Sequence, residues 1–228
     1  VLLFFFKPLT QDYVNLPVDF LETLPPWVYV TDGQVINREM NDVPMQHAVW
    51  AHQVRESWRS FQPPLWNHLS GSGYPLLANG QSSALSPLRL LTLPIASLGQ
   101  AMTAQAAFTV LTALTFTFLY CRGRGWSDLA SAAASVGFGF GGFLMVWLHF
   151  PHVTTACFLP AVMYLIDLLS ERPSFARFAA FAVIWASIMT GGHPETAAHI
   201  FLLALLRVAL RALAINKLSP IPAAGPRW

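Results

Sequence analysis

The chain has 228 residues, of which 54% are hydrophobic and 11% charged, where a soluble domain carries roughly a quarter charged residues. That balance excludes an ordinary soluble globule, and a net charge of +2 is too small to attract nucleic acid. The apolar residues crowd into the second half, as membrane spans require and as a soluble core spread along the chain does not.

In chain order, residues 1–6 (VLLFFF) read as the end of a longer transmembrane helix. Residues 7–41 are polar and broken by Pro8, Pro17, Pro25 and Pro26, which argues for an ordered surface loop with Trp27 and Tyr29 at an interface. From Val43 the pattern changes. His47, Trp50, Val54, Trp58 and Phe61 recur at intervals of three and four, so residues 43–61 are expected to form an amphipathic helix lying along the membrane surface. A short interfacial or re-entrant helix is expected to start at Ser86-Pro87, with Ser as cap and Pro in its first turn, and to run to Leu98.

Five spans are expected, at residues 101–121, 129–148, 153–169, 178–190 and 196–213, the fourth being short against the roughly 20 residues a span needs. Cys121 and Cys157 both lie inside apolar runs and read as small packed residues rather than a disulfide or a metal pair. The run Gly137, Gly139, Gly141 and Gly142 reads as a close-packing face, and Pro160 as a kink. Asp167, His199 and Arg207 fall within apolar stretches, where a charged form costs about 2.5 to 3.5 kcal/mol at mid-depth. They need partners or an escape to the interface, and Asp167 is expected to pair with Arg207 or Arg211.

The connections alternate in charge. Arg122 and Arg124, Arg172 and Arg177, and Arg207, Arg211 and Lys217 mark one set, whereas the turns holding His149 and His152, and His193 and Glu195, carry no Lys or Arg. Basic loops stay cytoplasmic, which puts the histidine turns and the whole 7–100 segment outside. Asp42, Asn67, Asn79, Gln81, His149, His152, His193 and Glu195 are thereby expected on one face of the membrane.

Among these, Asp42 reads as the cap of the amphipathic helix, a position that leaves its carboxylate available as a base or a metal ligand. Trp50, Trp58 and Trp66 read as interfacial anchors, or as a stacking surface for sugar rings. Asn67, Asn79 and Gln81 either hold turns or offer donors and acceptors to sugar hydroxyls. His149, His152, His193 and Glu195 cap helix ends, or together could bind a phosphate, a diphosphate or a divalent metal.

Asn41-Asp42 followed by Gln46, then Pro64-Leu65-Trp66-Asn67, Gly73, Pro75-Leu76-Leu77-Ala78-Asn79 with Gln81, and Ser86-Pro87 resemble the bacterial YfhO-like membrane protein family, and Gly192-His193-Pro194 resembles its later outer turn. That family is similar to C-type (GT-C) glycosyltransferases, which take a sugar from a polyprenyl-phosphate carrier using an aspartate of the first outer loop. The resemblance implies an all-α polytopic membrane protein, a GT-C-like helical bundle with a large first extracytoplasmic loop containing amphipathic helices. It divides the chain into residues 1–6, the loop 7–100, five transmembrane helices in 101–217 and a Pro-rich cytoplasmic end at 218–228. It makes Asp42 the catalytic residue. Gln46, Trp66, Asn67, Asn79, Gln81, His149, His152, His193 and Glu195 would then contact substrate. It further implies the bacterial cytoplasmic (inner) membrane, a polyprenyl-phosphate sugar donor, surrounding lipid, an envelope acceptor and no nucleic acid. The alternative is a transporter or lipid-carrier flippase without transferase activity.

Overall fold

A computed structural model describes residues 1–11, 13–36 and 38–213. Lys217 and the Pro-rich end at 218–228 lie outside the described residues. The chain is mostly helical and divides into two compact units, one of residues 1–108 with 149–151, the other of residues 109–148 and 152 onward.

The first unit opens with α1 (Leu2–Thr10), which buries Phe5 completely. Three 3-10 turns, Val18–Thr23, Trp27–Tyr29 and Arg38–Met40, follow in place of regular helix. The amphipathic helix is present as a π-helical turn, Val43–His47, leading into α2 (Ala48–Arg59). Val43, His47, Ala51 and Val54 are its buried stripe, spaced four, four and three apart as a core-facing helix requires. Val43 and Ala51 pack with Met102 and Phe150, whereas Val54 packs with Leu76 and Ala84. Each such apolar side chain contributes about 1.5 to 3 kcal/mol on full burial.

Beyond α2, β1 (Trp66–Asn67) and β2 (Tyr74–Pro75) pair antiparallel, with Trp66 opposite Pro75 and Asn67 opposite Tyr74. Gly73 closes that hairpin at φ +86°, and a Cβ there would meet the Trp66 indole Nε1 at 2.2 Å. The helix expected from Ser86 to Leu98 is only α3 (Pro87–Leu90). Pro94 interrupts the following turns because it has no N–H to donate. From there α4 (Leu98–Gly123) begins.

The second unit holds the end of α4, then α5 (Asp128–Gly139), α6 (Gly142–Val146), α7 (Pro151–Ala156), α8 (Leu159–Glu171), α9 (Phe175–Met189) and α10 (Pro194–Leu213). Four stretches are long and apolar enough to cross a membrane: Leu98–Gly123, Asp128–Val146, Pro151–Glu171 and Pro194–Leu213. The fourth expected span, at 178–190, is not among them. Its helix α9 has 15 residues and reaches about 22 Å at 1.5 Å per residue, short of a hydrocarbon core of about 30 Å. Phe201, Leu202, Leu205 and Leu206 stand exposed along α10, an apolar surface suited to lipid and costly in water. The protein is a membrane protein.

Two expected continuous helices are broken. The glycine run serves as a close-packing face at Gly139, where a Cβ would come within 2.6 Å of the Leu114 side chain, and Ser135 Oγ donates to the Leu114 carbonyl beside it at 2.7 Å. At Gly141 the backbone turns extended and α5 ends; a Cβ there would lie 2.7 Å from the Gly137 carbonyl oxygen. Pro160, expected as a kink, sits instead in the first turn of α8, where its missing N–H costs nothing. Cys121 and Cys157 are free and buried.

Candidate functional site

Asp42 does not cap its helix. Its own backbone is already helical (φ −61°, ψ −27°) and the first helical bond reaches back to the Asn41 carbonyl, accepted from Met45 N–H at 3.1 Å. The carboxylate is therefore turned sideways, and its Oδ1 accepts from Gln46 Nε2 at 2.8 Å on the exposed side of the turn. The other carboxylate oxygen takes no hydrogen bond from the described residues. A single π turn within a helix is uncommon and frequent at functional sites; here it follows directly on Asp42.

The two tryptophans of α2 are packed and hydrogen-bonded within the first unit. Trp50 Nε1 donates to the Tyr74 hydroxyl and Trp58 Nε1 to the Ala84 carbonyl, the latter at 3.0 Å. Both rings rest against Val54, Leu76 and Ala84, because a buried indole N–H needs an acceptor and these are the ones the loop offers. Trp66 differs, standing 46% exposed on the edge of a pocket of about 360 Å³ that it shares with His52, Gln53, Glu56 and His68. Both amide atoms of Gln53 are buried there without a partner among the described residues. The volume lies at the small end of the range of ligand pockets, about 300 to 1,000 Å³, the scale of one sugar ring rather than of a long glycan.

The polar side of α2 had not been singled out from the sequence. His52 and Glu56, four residues apart, share the helix face opposite the buried stripe, with Gln53 at its border, and that signal was readable once paired with an exposed tryptophan. The loop amides are mostly structural. Asn67 is fully buried, its Oδ1 accepting Leu69 N–H at 2.8 Å, and Asn79 Oδ1 accepts Gln81 N–H at 3.2 Å. Both hold turns by the ordinary Asx geometry. Gln81 is exposed.

The turn histidines separate between the units. His149 belongs to the first, where its ring is hydrogen-bonded to the Asn15 backbone. Burial pushes its pKa down to about 4, the Asn15 bond opposes that shift, and neighbouring His47 adds to it. His152 and His193 belong to the second unit, their ring centroids 5.2 Å apart. Together with Glu195, Thr196 and His199 they line a pocket of about 450 Å³ whose remaining wall is apolar, including Phe143 and Trp147. His193 realises the capping expectation. Its Nδ1 accepts Thr196 N–H at 3.2 Å at the start of α10, which assigns the ring proton to Nε2. The pocket thus combines a hydrocarbon-compatible wall with imidazole donors, a lining suited to an amphipathic molecule with an anionic head.

Among the described residues no three His, Cys, Asp or Glu side chains come together as a metal ion would need. Asp167 is paired as expected. Arg207 grips it from Nε (3.0 Å) and Nη2 (2.7 and 2.6 Å), so this carboxylate is a structural tie. The chain matches no family model, no curated protein and no solved structure.

Proposed function

We propose that the protein is a membrane glycosyltransferase that moves a sugar from a polyprenyl-phosphate donor to an extracytoplasmic acceptor of the bacterial envelope. The observation that carries this reading is the small pocket lined by both the exposed Trp66 and Gln53, whose buried amide has no partner among the described residues. Sugar rings stack their C–H faces on an indole, and a carboxamide supplies both a donor and an acceptor to their hydroxyls. Asp42 is the general base that takes the acceptor proton, held in position by Gln46. The pocket of His152, His193 and Glu195 receives the lipid-linked phosphate among apolar side chains. By the distribution of Lys and Arg, this chemistry faces the outside of the cytoplasmic membrane.

A transporter or flippase, the rival reading, calls for polar side chains directed into a path through the bilayer. Thr117, Ser170 and Ser187 instead donate to carbonyls one turn back in their own helices, Ala113, Ile166 and Val183. Those hydroxyls are spent locally.

The test is transfer of labelled sugar from a polyprenyl-phosphate donor by the protein in membranes, wild type against Asp42→Asn. Asparagine keeps the oxygen that Gln46 donates to, so folding is preserved. Loss of the base lowers the rate about 10²- to 10⁴-fold. Equal transfer by both proteins removes Asp42 from the chemistry, and no transfer by either removes the transferase reading.

A further inference from the structure

Ser86 and Arg89 stand at the start of α3 in the first unit, 0% and 7% exposed. Ser86 Oγ and Arg89 Nε are both buried with no hydrogen-bond partner among the described residues. Arg89 N–H donates to the Ser86 carbonyl at 3.0 Å, so the two residues belong to one turn. No carboxylate among the described residues pairs with Arg89. The charged neighbour it senses is Arg55, a like charge, which together with burial lowers its pKa to about 10, burial being the larger cause.

The neighbouring arginines are already satisfied. Arg55 donates to the carbonyls of Thr92, Ile95 and Ala96, and Arg59 to those of Leu93 and Ile95. Neither has an acceptor to lend. A guanidinium stays protonated at neutral pH and cannot escape burial by losing its charge. An apolar side chain would fill this place more favourably than an unpaired cation. Arginine's flat fork and a serine hydroxyl beside it are donors suited to the oxygens of a phosphoryl group.

We propose that Arg89 and Ser86 form a binding site for a phosphoryl group, presented either as free phosphate or as the headgroup of a phosphate-bearing lipid. The site stands independently of the transferase reading, since it requires neither the Trp66 pocket nor Asp42.

The protein in maltoside micelles, in phosphate-free buffer, is titrated with inorganic phosphate against chloride of matched ionic strength, and separately with phosphatidic acid mixed into the micelles, while thermal unfolding is followed. A saturable rise in Tm with inorganic phosphate identifies free phosphate as the occupant; a rise with phosphatidic acid alone identifies a lipid headgroup. Arg89→Met abolishes the response and, without ligand, unfolds at the wild-type temperature or above it. Ser86→Ala weakens the affinity about tenfold, the loss of one hydrogen bond to a charged group. The proposal is overturned if neither titrant acts beyond chloride, if Arg89→Met still responds, or if Arg89→Met unfolds well below wild type in phosphate-free buffer, which would reveal a protein partner for the guanidinium.

Discussion

The two units solve the same problem, a buried arginine, in different ways. In the second, Arg207 is forked onto Asp167, which is 1% exposed; Arg211 lies 3.2 Å from the same carboxylate and donates to Glu171 at 2.9 Å, and Arg124 approaches Asp167 at 3.7 Å. In the first, Arg55 and Arg59 are met by backbone carbonyls between Thr92 and Ala96. The difference follows from where free acceptors exist. Carbonyls within a long apolar helix are taken by its own N–H groups, so a cation there requires a counter-charge. The irregular turns after α3 leave carbonyls open, and a guanidinium with five donors can close several at once.

The strongest way to break this contrast is Asp167→Asn, which leaves Arg207 and Arg211 facing each other without a full counter-charge. A loss of about 3 to 5 kcal/mol is expected, read as the shift in detergent-titrated unfolding. The double variant Asp167→Leu with Arg207→Met should recover much of it, and no recovery would mean that the ion pair does more than neutralise. In the first unit, Arg55→Met strands the Thr92 and Ala96 carbonyls, leaves that of Ile95 to Arg59 alone, and is expected to cost about 2 to 3 kcal/mol. Arg55→Lys should restore little, because an ammonium cannot span three acceptors; full rescue by lysine would show that charge alone matters there.

His149 represents a third solution, a titratable group kept neutral. Its folded pKa of about 4 lies below the ordinary value of about 6.5, so the unfolded chain binds the proton first as pH falls. Stability is fully present above about pH 6.5 and declines between there and pH 4, by about 3 kcal/mol. His149→Gln should flatten that slope, and an unchanged slope would assign it to another group. The smallest effect is expected from Ser135→Ala, which removes a neutral hydroxyl bond from α5 to the Leu114 carbonyl of α4. Interhelical bonds of this kind contribute about 0.6 kcal/mol in membrane bundles, so a loss above 2 kcal/mol would place Ser135 with the charged ties instead.

Much of the helical framework was legible beforehand. Residues 101–121 and 196–213 read as spans because their apolar runs are long, the first free of charge and the second charged only at Arg207 and Arg211, and they lie within α4 and α10. The amphipathic stripe from Val43 was readable from its spacing, and the pairing of Asp167 with arginine from the cost of leaving either alone. The breaks at Gly141 and before Leu159 were not, since a glycine run or a proline is equally compatible with a continuous helix until its neighbours are known. The candidate site was legible only in part. Trp66 stood out as an aromatic in a polar loop, but Gln53 looked like any solvent-facing residue of an amphipathic helix.

Sequence by itself determined that this is a mostly helical membrane protein, because hydropathy and periodicity are local quantities that a bilayer reads directly. Only the tertiary structure decided which polar groups are spent and which remain unpaired. Asn67 and Asn79 close turns and His193 caps a helix, while the Gln53 amide, the Ser86 hydroxyl and Arg89 Nε are buried without partners among the described residues. Burial and hydrogen-bond geometry join residues distant along the chain, and that information resides in no single stretch of it.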